Sequence, residues 1–121
     1  MEDFGKIVIK DIVVEIVNLS RATYKEAAEF KRILNDDYEM RFKKLIVDIR
    51  QCEFIDSTFL GVLVVALKNM AKIGGEIRLV KPTSVVQTLM EKVGTLTIFN
   101  TYDTLEEAVE SFNFHETIIH R

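Results

Sequence analysis

A single cysteine, Cys52, stands in a chain of 121 residues, so no intrachain disulfide can form and no thiol-based metal or redox motif is available. A half-buried structural position is expected for it. Basic charge is also scarce relative to acid: 16 Lys and Arg against 19 Asp and Glu leave a formal net charge of −3. The basic residues are scattered rather than clustered, which argues against nucleic acid as a partner. Long apolar runs are missing too. The longest, Phe59 to Leu67, falls far below the roughly 20 residues that cross a bilayer, and no membrane partner is expected. The opening MEDFGKIVIK lacks the basic start and apolar stretch of a secretory signal, so a soluble, cytoplasmic protein is expected. No linker or low-complexity segment interrupts the chain. At 48% hydrophobic residues it is long enough to bury one core and too short to divide comfortably into two domains.

What is present is an alternation of strand and helix signals. KIVIKDIVVEIV sets two β-branched runs around Lys10-Asp11, which predicts a hairpin. Thr23 and Glu26 have capping-box spacing, and Ala27, Phe30, Ile33 and Leu34 then give one apolar face to a helix predicted to end near Asn35. The near-continuous apolar run Leu45 to Ile49 predicts a central strand buried on both faces. A helix follows from Asp56 or Ser57 to just before Gly74-Gly75, then a strand over EIRLV and a helix from Pro82-Thr83 to Gly94. A short strand over TIFNTY and a final helix capped by Thr104 and Glu107 complete the chain. The order β-β-α-β-α-β-α-β-α predicts an α/β fold, a mostly parallel central sheet with about four helices packed on it.

The stretch FIDSTFLG, Phe54 to Gly61, crowds a carboxylate and two hydroxyls at a strand-to-helix junction. On a helical wheel Leu60, Leu63, Val64, Leu67, Met70 and Ala71 share the side that faces the sheet. Ser57, Thr58, Gly61, Lys68 and Lys72 fall on the other side, and so do Val62 and Val65. An apolar strip beside hydroxyls suits a partner surface; a second helix or the C-terminal tail covering it is the alternative. One N-cap needs one oxygen from Asp56 or Ser57. The remaining hydroxyls are then free, at a helix end whose amides and dipole favour an added phosphate. On the residues alone, capping and phosphoacceptor readings both stand.

The segment LIVDIRQCEFIDSTFLGVLVVALKNMAKIGGEIRLVKPTSVVQTLMEKVGTLTIFNTYDTLEEAV resembles the STAS domain of bacterial anti-sigma factor antagonists. Asp56-Ser57 with Leu60-Gly61, then Gly74-Gly75 and Tyr102-Asp103, carry the likeness, which extends from about Lys6 to Ser111. It implies a STAS fold over residues 1–111, with 112–121 as a C-terminal extension, and no cofactor. It also implies a switch: Ser57 is phosphorylated by a partner that is both anti-sigma factor and ATP-dependent serine kinase, and a protein phosphatase reverses the change. Phosphorylation adds about −1.5 to −2 charge beside Asp56. The expected partner-binding residues are Asp56, Thr58, Phe59, Val62 and Val65, with Ser20, Arg21 and Thr23 from the loop after the second strand. Two departures stand out. Phe59 replaces the family's usual glycine, placing a ring at the edge of the core-facing side, where it could shield the acceptor or simply pack inward. Ser20, Arg21, Ala22 and Thr23 replace a usual Gly-Glu-Leu-Asp, turning an acidic loop neutral to basic and altering partner choice.

Other constellations fail on spacing. His115 and His120 are five apart, about 140° around a helix, which rules out a zincin-like metal pair. No nucleophile, base and orienter can be assembled, so an enzyme is not expected. A receiver-like phosphoacceptor centred on Asp48 lacks the acidic pair for a divalent metal. A non-switching STAS scaffold or dimerisation module remains as the alternative. The tail residues Phe112, Phe114, Ile118 and Ile119 are too apolar for a solvated end, and docking on the domain or on a second copy is expected for them.

Overall fold

The computed structural model describes residues 2–119, with side chains to Phe112. Strands β1 (Phe4–Ile9) and β2 (Ile12–Val17) form the expected hairpin, closed by Lys10-Asp11 with Lys10 in the left-handed region. A two-residue strand β3 (Arg21–Ala22) leads into α1 (Tyr24–Glu39), and β4 (Lys44–Asp48) follows. A second two-residue strand, β5 (Phe54–Ile55), precedes α2 (Ser57–Lys72); β6 (Glu76–Val80), α3 (Ser84–Lys92), β7 (Asn100–Tyr102) and α4 (Leu105–Ile119) complete the order. The main sheet runs β1-β2-β4-β6-β7, with only the β1–β2 pair antiparallel. This is the mostly parallel sheet with four helices that the strand-helix alternation predicts.

Alternation along the buried strands divides the core between two faces. Val13, Val17, Leu45, Val47, Ile77 and Leu79 point toward α1, α2 and α3. Ile12, Val14, Ile46 and Val80 point the other way and pack with Ala108 and Phe112 of α4. Arg78 pins α4 to that face: its guanidinium lies 4.0 Å from the Phe112 ring centroid, pairs with Glu76 and donates to Ser111 Oγ. Phe112 is therefore docked on the domain. Phe114, Ile118, Ile119 and the two histidines lie outside the described side chains, and α4 runs on across the boundary expected at residue 111.

Several elements differ from expectation. Helix α1 continues to Glu39 rather than ending near Asn35, because no Gly or Pro stops it and its inward face gains a fully buried Asp37. The TIFNTY segment divides into a short 3-10 turn, Leu96–Ile98, and β7, with Phe99 buried between them. On α2, Leu60, Leu63 and Met70 are core, whereas Val64 and Leu67 are half-buried and Ala71 is exposed, so the inward stripe is narrower than the wheel predicts. Cys52 is fully buried, and burial, reinforced by the Asp48 charge, pushes its thiol up to about 12. The Gly-Gly turn works as two separate devices. Gly74 takes φ +76°, and a Cβ on Gly75 would stand 2.8 Å from Met70 Cε and 3.1 Å from the Lys43 carbonyl.

A buried charge cluster joins β1, β2 and α1. Lys6 Nζ lies 3.0 Å from Glu15 Oε2 and 2.7 Å from Asp37 Oδ1, and both carboxyls are out of solvent. Burial, reinforced by hydrogen bonding to Asp37 and by its charge, raises the Glu15 carboxyl to about 9 against the opposing pull of Lys6, so the fold favours its protonated form.

Two expected outcomes follow from this packing. Leu63→Ala should destabilise the fold by about 2 to 5 kcal/mol in urea unfolding, and the half-buried Leu67→Ala by less. A group whose carboxyl is raised in the folded state contributes stability that is complete at low pH and is lost as pH climbs. The Glu15 contribution is thus complete below its ordinary value of 4.5 and is lost as pH rises through about 9. Glu15→Gln should flatten that part of the stability-pH curve; an identical slope in both proteins would contradict the assignment.

Candidate functional site

The junction begins at Ser20, whose carbonyl accepts from the amides of Glu53 (2.8 Å) and Phe54 (3.1 Å), while its hydroxyl donates to Glu53 Oε2 (2.6 Å). The parallel β3–β5 pair continues this seam, setting Arg21 beside Phe54 and Ala22 beside Ile55. The Arg21 guanidinium lies 4.4 Å over the Phe54 ring. The Asp56 amide then donates to the Ala22 carbonyl at 3.1 Å. Segments more than thirty residues apart in sequence are thereby held side by side, and both enter helices at the next residues.

Asp56 serves both helices at once. Its Oδ1 accepts from the Phe59 amide in the first turn of α2, and its Oδ2 accepts from the Tyr24 amide that opens α1, each at 2.8 Å. Thr23 supplies α1 with the expected capping box, taking the Lys25 amide on its hydroxyl while Glu26 reaches back to the Thr23 amide. Two helix N-termini, each with unpaired amides and a positive dipole end, converge on one carboxylate. Ser57 and Thr58 are both exposed, and among the described residues neither hydroxyl has a hydrogen-bond partner.

Phe59 requires a correction. Expected as a partner contact or a shield over the acceptor, it has 0% exposure and stacks on Phe30 at 4.4 Å, in line with the Phe30–Phe4 stack. A ring that fills the core between α1, α2 and β1 neither meets a partner nor covers Ser57. Val62 is half-buried and Val65 is 54% exposed. Together with Thr58, Gly61, Ala66 and Leu34 they line a groove of about 530 Å³ between α1 and α2. Gly61 is not demanded by the fold, since a Cβ there would meet nothing within 4 Å; it leaves the groove floor open one turn beyond Ser57.

The structure thus sets Ser20, Arg21 and Thr23 beside the Phe54–Asp56 segment that leads into Ser57 and Thr58, whereas Val62 and Val65 lie farther along α2, in the groove with α1. Three features were missed from sequence: the β3–β5 pair, the second bond of Asp56 and the contribution of α1 to the groove. Two-residue strands have no periodicity to detect, and a wheel drawn for one helix is silent about its neighbour. Asp48 is consumed elsewhere, held by the Arg50 guanidinium at 2.7 Å. Among the described residues no helix is long and apolar enough to cross a membrane.

Comparison with known proteins matches this arrangement to one family. The STAS domain family model spans residues 9–108. A Thermotoga neapolitana protein named as an anti-sigma factor antagonist is 30% identical over 104 residues, covering 85% of this chain and 91% of the relative. The crystal structure of an anti-sigma factor antagonist from Thermotoga maritima superposes with TM-score 0.82 at 29% identity, covering 89% of this chain and 92% of that one. The phosphorylated form of the Bacillus cell fate determinant SpoIIAA shares the fold, with TM-score 0.72 at 15% identity over 90% of this chain and 98% of its own. The chain belongs to the STAS domain family.

If Asp56 caps both helices, Asp56→Ala should cost about 1 to 2 kcal/mol or more, beyond a single N-cap loss. Asp56→Asn has one carbonyl oxygen in place of two carboxylate oxygens, so it should recover only part of that loss. Urea unfolding of the three proteins measures this; full recovery by Asn would contradict the shared cap.

Proposed function

We propose that this protein is an anti-sigma factor antagonist switched by phosphorylation of Ser57. The unphosphorylated face, comprising Ser20, Arg21, Thr58, Val62 and Val65 around Ser57, binds an anti-sigma factor that is also a serine kinase and so frees a sigma factor. A phosphatase restores the binding form. The observation that carries this reading is the division of labour at the junction. Asp56 does the capping for α2, so the Ser57 hydroxyl is exposed and unengaged at the helix N-terminus.

The electrostatics support a switch that leaves the fold intact. A phosphate at the first position of α2 meets a positive dipole end and first-turn amides, which stabilise an anion there. The same dianion beside the Asp56 carboxylate presents any docking partner with a bulky, solvated charge where a neutral hydroxyl stood. SpoIIAA, a protein of this fold, exists in a phosphorylated form, which supports the reading by analogy. With Phe59 turned into the core, the departure from the family pattern at that position poses no barrier to a kinase.

Affinity capture from the native cell with wild type, Ser57→Ala and Ser57→Asp, read by mass spectrometry and followed by binding measurements on the captured kinase, tests the proposal. Ser57→Ala should bind as wild type does. Ser57→Asp should bind about 10- to 100-fold more weakly, roughly 1.4 to 2.8 kcal/mol. Arg21→Glu should also change affinity while leaving folding nearly untouched, since an exposed charge contributes little to stability. Phosphate on Thr58 in place of Ser57, or indifference to Ser57→Asp, would favour a non-switching scaffold.

A further inference from the structure

Helices α1 and α2 start side by side at Asp56, and the groove between them begins at Thr58. On α2 the lining residues Thr58, Gly61, Val62, Val65, Ala66 and Asn69 recur every three or four positions, a stripe about 17 Å long at 1.5 Å per residue. Lys31 and Leu34 face it from α1. Gly61 has no reason in the fold: glycine inside a helix is about 1 kcal/mol less favourable than alanine, and a Cβ here would meet nothing within 4 Å. Its missing side chain, with the small Ala66 farther along, lets another backbone approach α2 closely. Charge sets the groove apart from an acidic chain. Among the described residues that line it, Lys31 alone is charged. Lys68 and Lys72 follow Val65 and Asn69 by three residues, which puts both on the α2 margin. None of these lysines has an acidic partner among the described residues. Asp56, at the head, is already held by two helix amides. On the opposite flank of α1, by contrast, Arg32 is paired with Glu29 and Asp36.

We propose that the groove receives an amphipathic helix of the docking partner, its apolar stripe laid between α1 and α2 and its flanks carrying Asp or Glu toward Lys31, Lys68 and Lys72. The inference rests on the proposed reading of this face as a docking surface and gives the partner segment a defined chemistry. Packed helices lie about 8–10 Å apart, nearest where the contact residues are small, and Gly61 and Ala66 meet that need. An open trough of this length matches a helix that presents anchors at i, i+3 or i+4, and i+7. An extended segment would instead leave its own amides unpaired against Leu34, Val62 and Val65. The three lysines select acidic over basic flanks and steer the encounter. A phosphate on Ser57, next to Thr58 at the head of the groove, repels an acidic helix more than a neutral one, so this partner chemistry also sharpens the switch.

Photo-crosslinking in the native cell tests the groove, with benzoylphenylalanine placed at Asn69 inside it and at the exposed Val85 on α3 as the control. The partner segment trapped at position 69 and not at 85 should be a helix-forming run with apolar residues three and four apart and acidic flanks. A synthetic peptide of that segment should bind the full chain, and Gly61→Leu or the double variant Lys31→Glu, Lys68→Glu should each weaken it by about tenfold or more. Neither change touches the core, so thermal midpoints should hold. Replacing the peptide's acids by lysine should weaken binding to wild type and restore it to the double variant. Ser57→Asp, measured in parallel, keeps the two readings apart. An acidic helix trapped at position 69 with no response to Ser57→Asp upholds the groove and contradicts the switch. A Ser57-sensitive partner trapped through an extended or basic segment, or whose peptide ignores Gly61→Leu and the charge swap, overturns the groove and leaves the switch standing. No protein trapped at position 69, which would leave the groove to a small amphipathic anion, or a second copy of this chain trapped there, also overturns the proposal.

Discussion

One carboxylate holds the functional end of this molecule together. Asp56 divides its two oxygens between α1 and α2, accepting from Tyr24 and Phe59, and its own amide closes onto the β3 carbonyl of Ala22. Two helices therefore start at one point, and both positive ends meet the Asp56 carboxylate, with Glu26 adding a second acidic group in the first turn of α1. The cost of converging two sets of unpaired amides is offset locally, without recruiting the neighbouring hydroxyls. That economy is what leaves Ser57 and Thr58 open to solvent.

The surroundings reinforce the same geometry from below. The Phe4–Phe30–Phe59 stack fixes the first turn of α2 against α1 and the sheet, so Ser57 is presented from a rigid base. On the solvent side, Leu34, Val62 and Val65 line an apolar groove reached through an open glycine position. On the proposed reading, a docking face with an apolar floor and Ser57 as acceptor at its end is sensitive to added charge, because a dianion at the rim cannot be desolvated cheaply. Under the same proposal the fold would tolerate that charge, because it would sit where helix dipoles favour it.

Most of the architecture was legible in the sequence. The hairpin, the central strands over Leu45 to Ile49 and EIRLV, and the caps at Thr23 and Thr104 all follow from local chemistry, since periodicity and capping are properties of contiguous residues; for α2 the sequence left Asp56 and Ser57 as equal cap candidates. The family followed from the run around Asp56-Ser57 and Leu60-Gly61. What escaped was long-range. Helix α1 gave no sign that Asp37 would be buried against Glu15 and Lys6, because a carboxylate inside a core is stabilised only by partners from other elements. Phe59 read ambiguously for the same reason: its wheel position lies at the margin of the face, and the ring of Phe30 decides which way it turns. The pairing of β3 with β5 joins segments too short to signal a strand on their own, yet it aligns the Arg21 loop with Ser57.

Phosphorylation of Ser57, as proposed, changes the surface and leaves the fold alone. The direct measurement is a comparison of backbone amide NMR spectra of the unmodified protein and protein carrying phosphoserine at position 57. Shift changes confined to residues near 20–25 and 53–62, with resonances of β2, β4 and β6 unmoved, are the predicted result. Changes spread through those central strands, or a collapse of the dispersed spectrum, would contradict it.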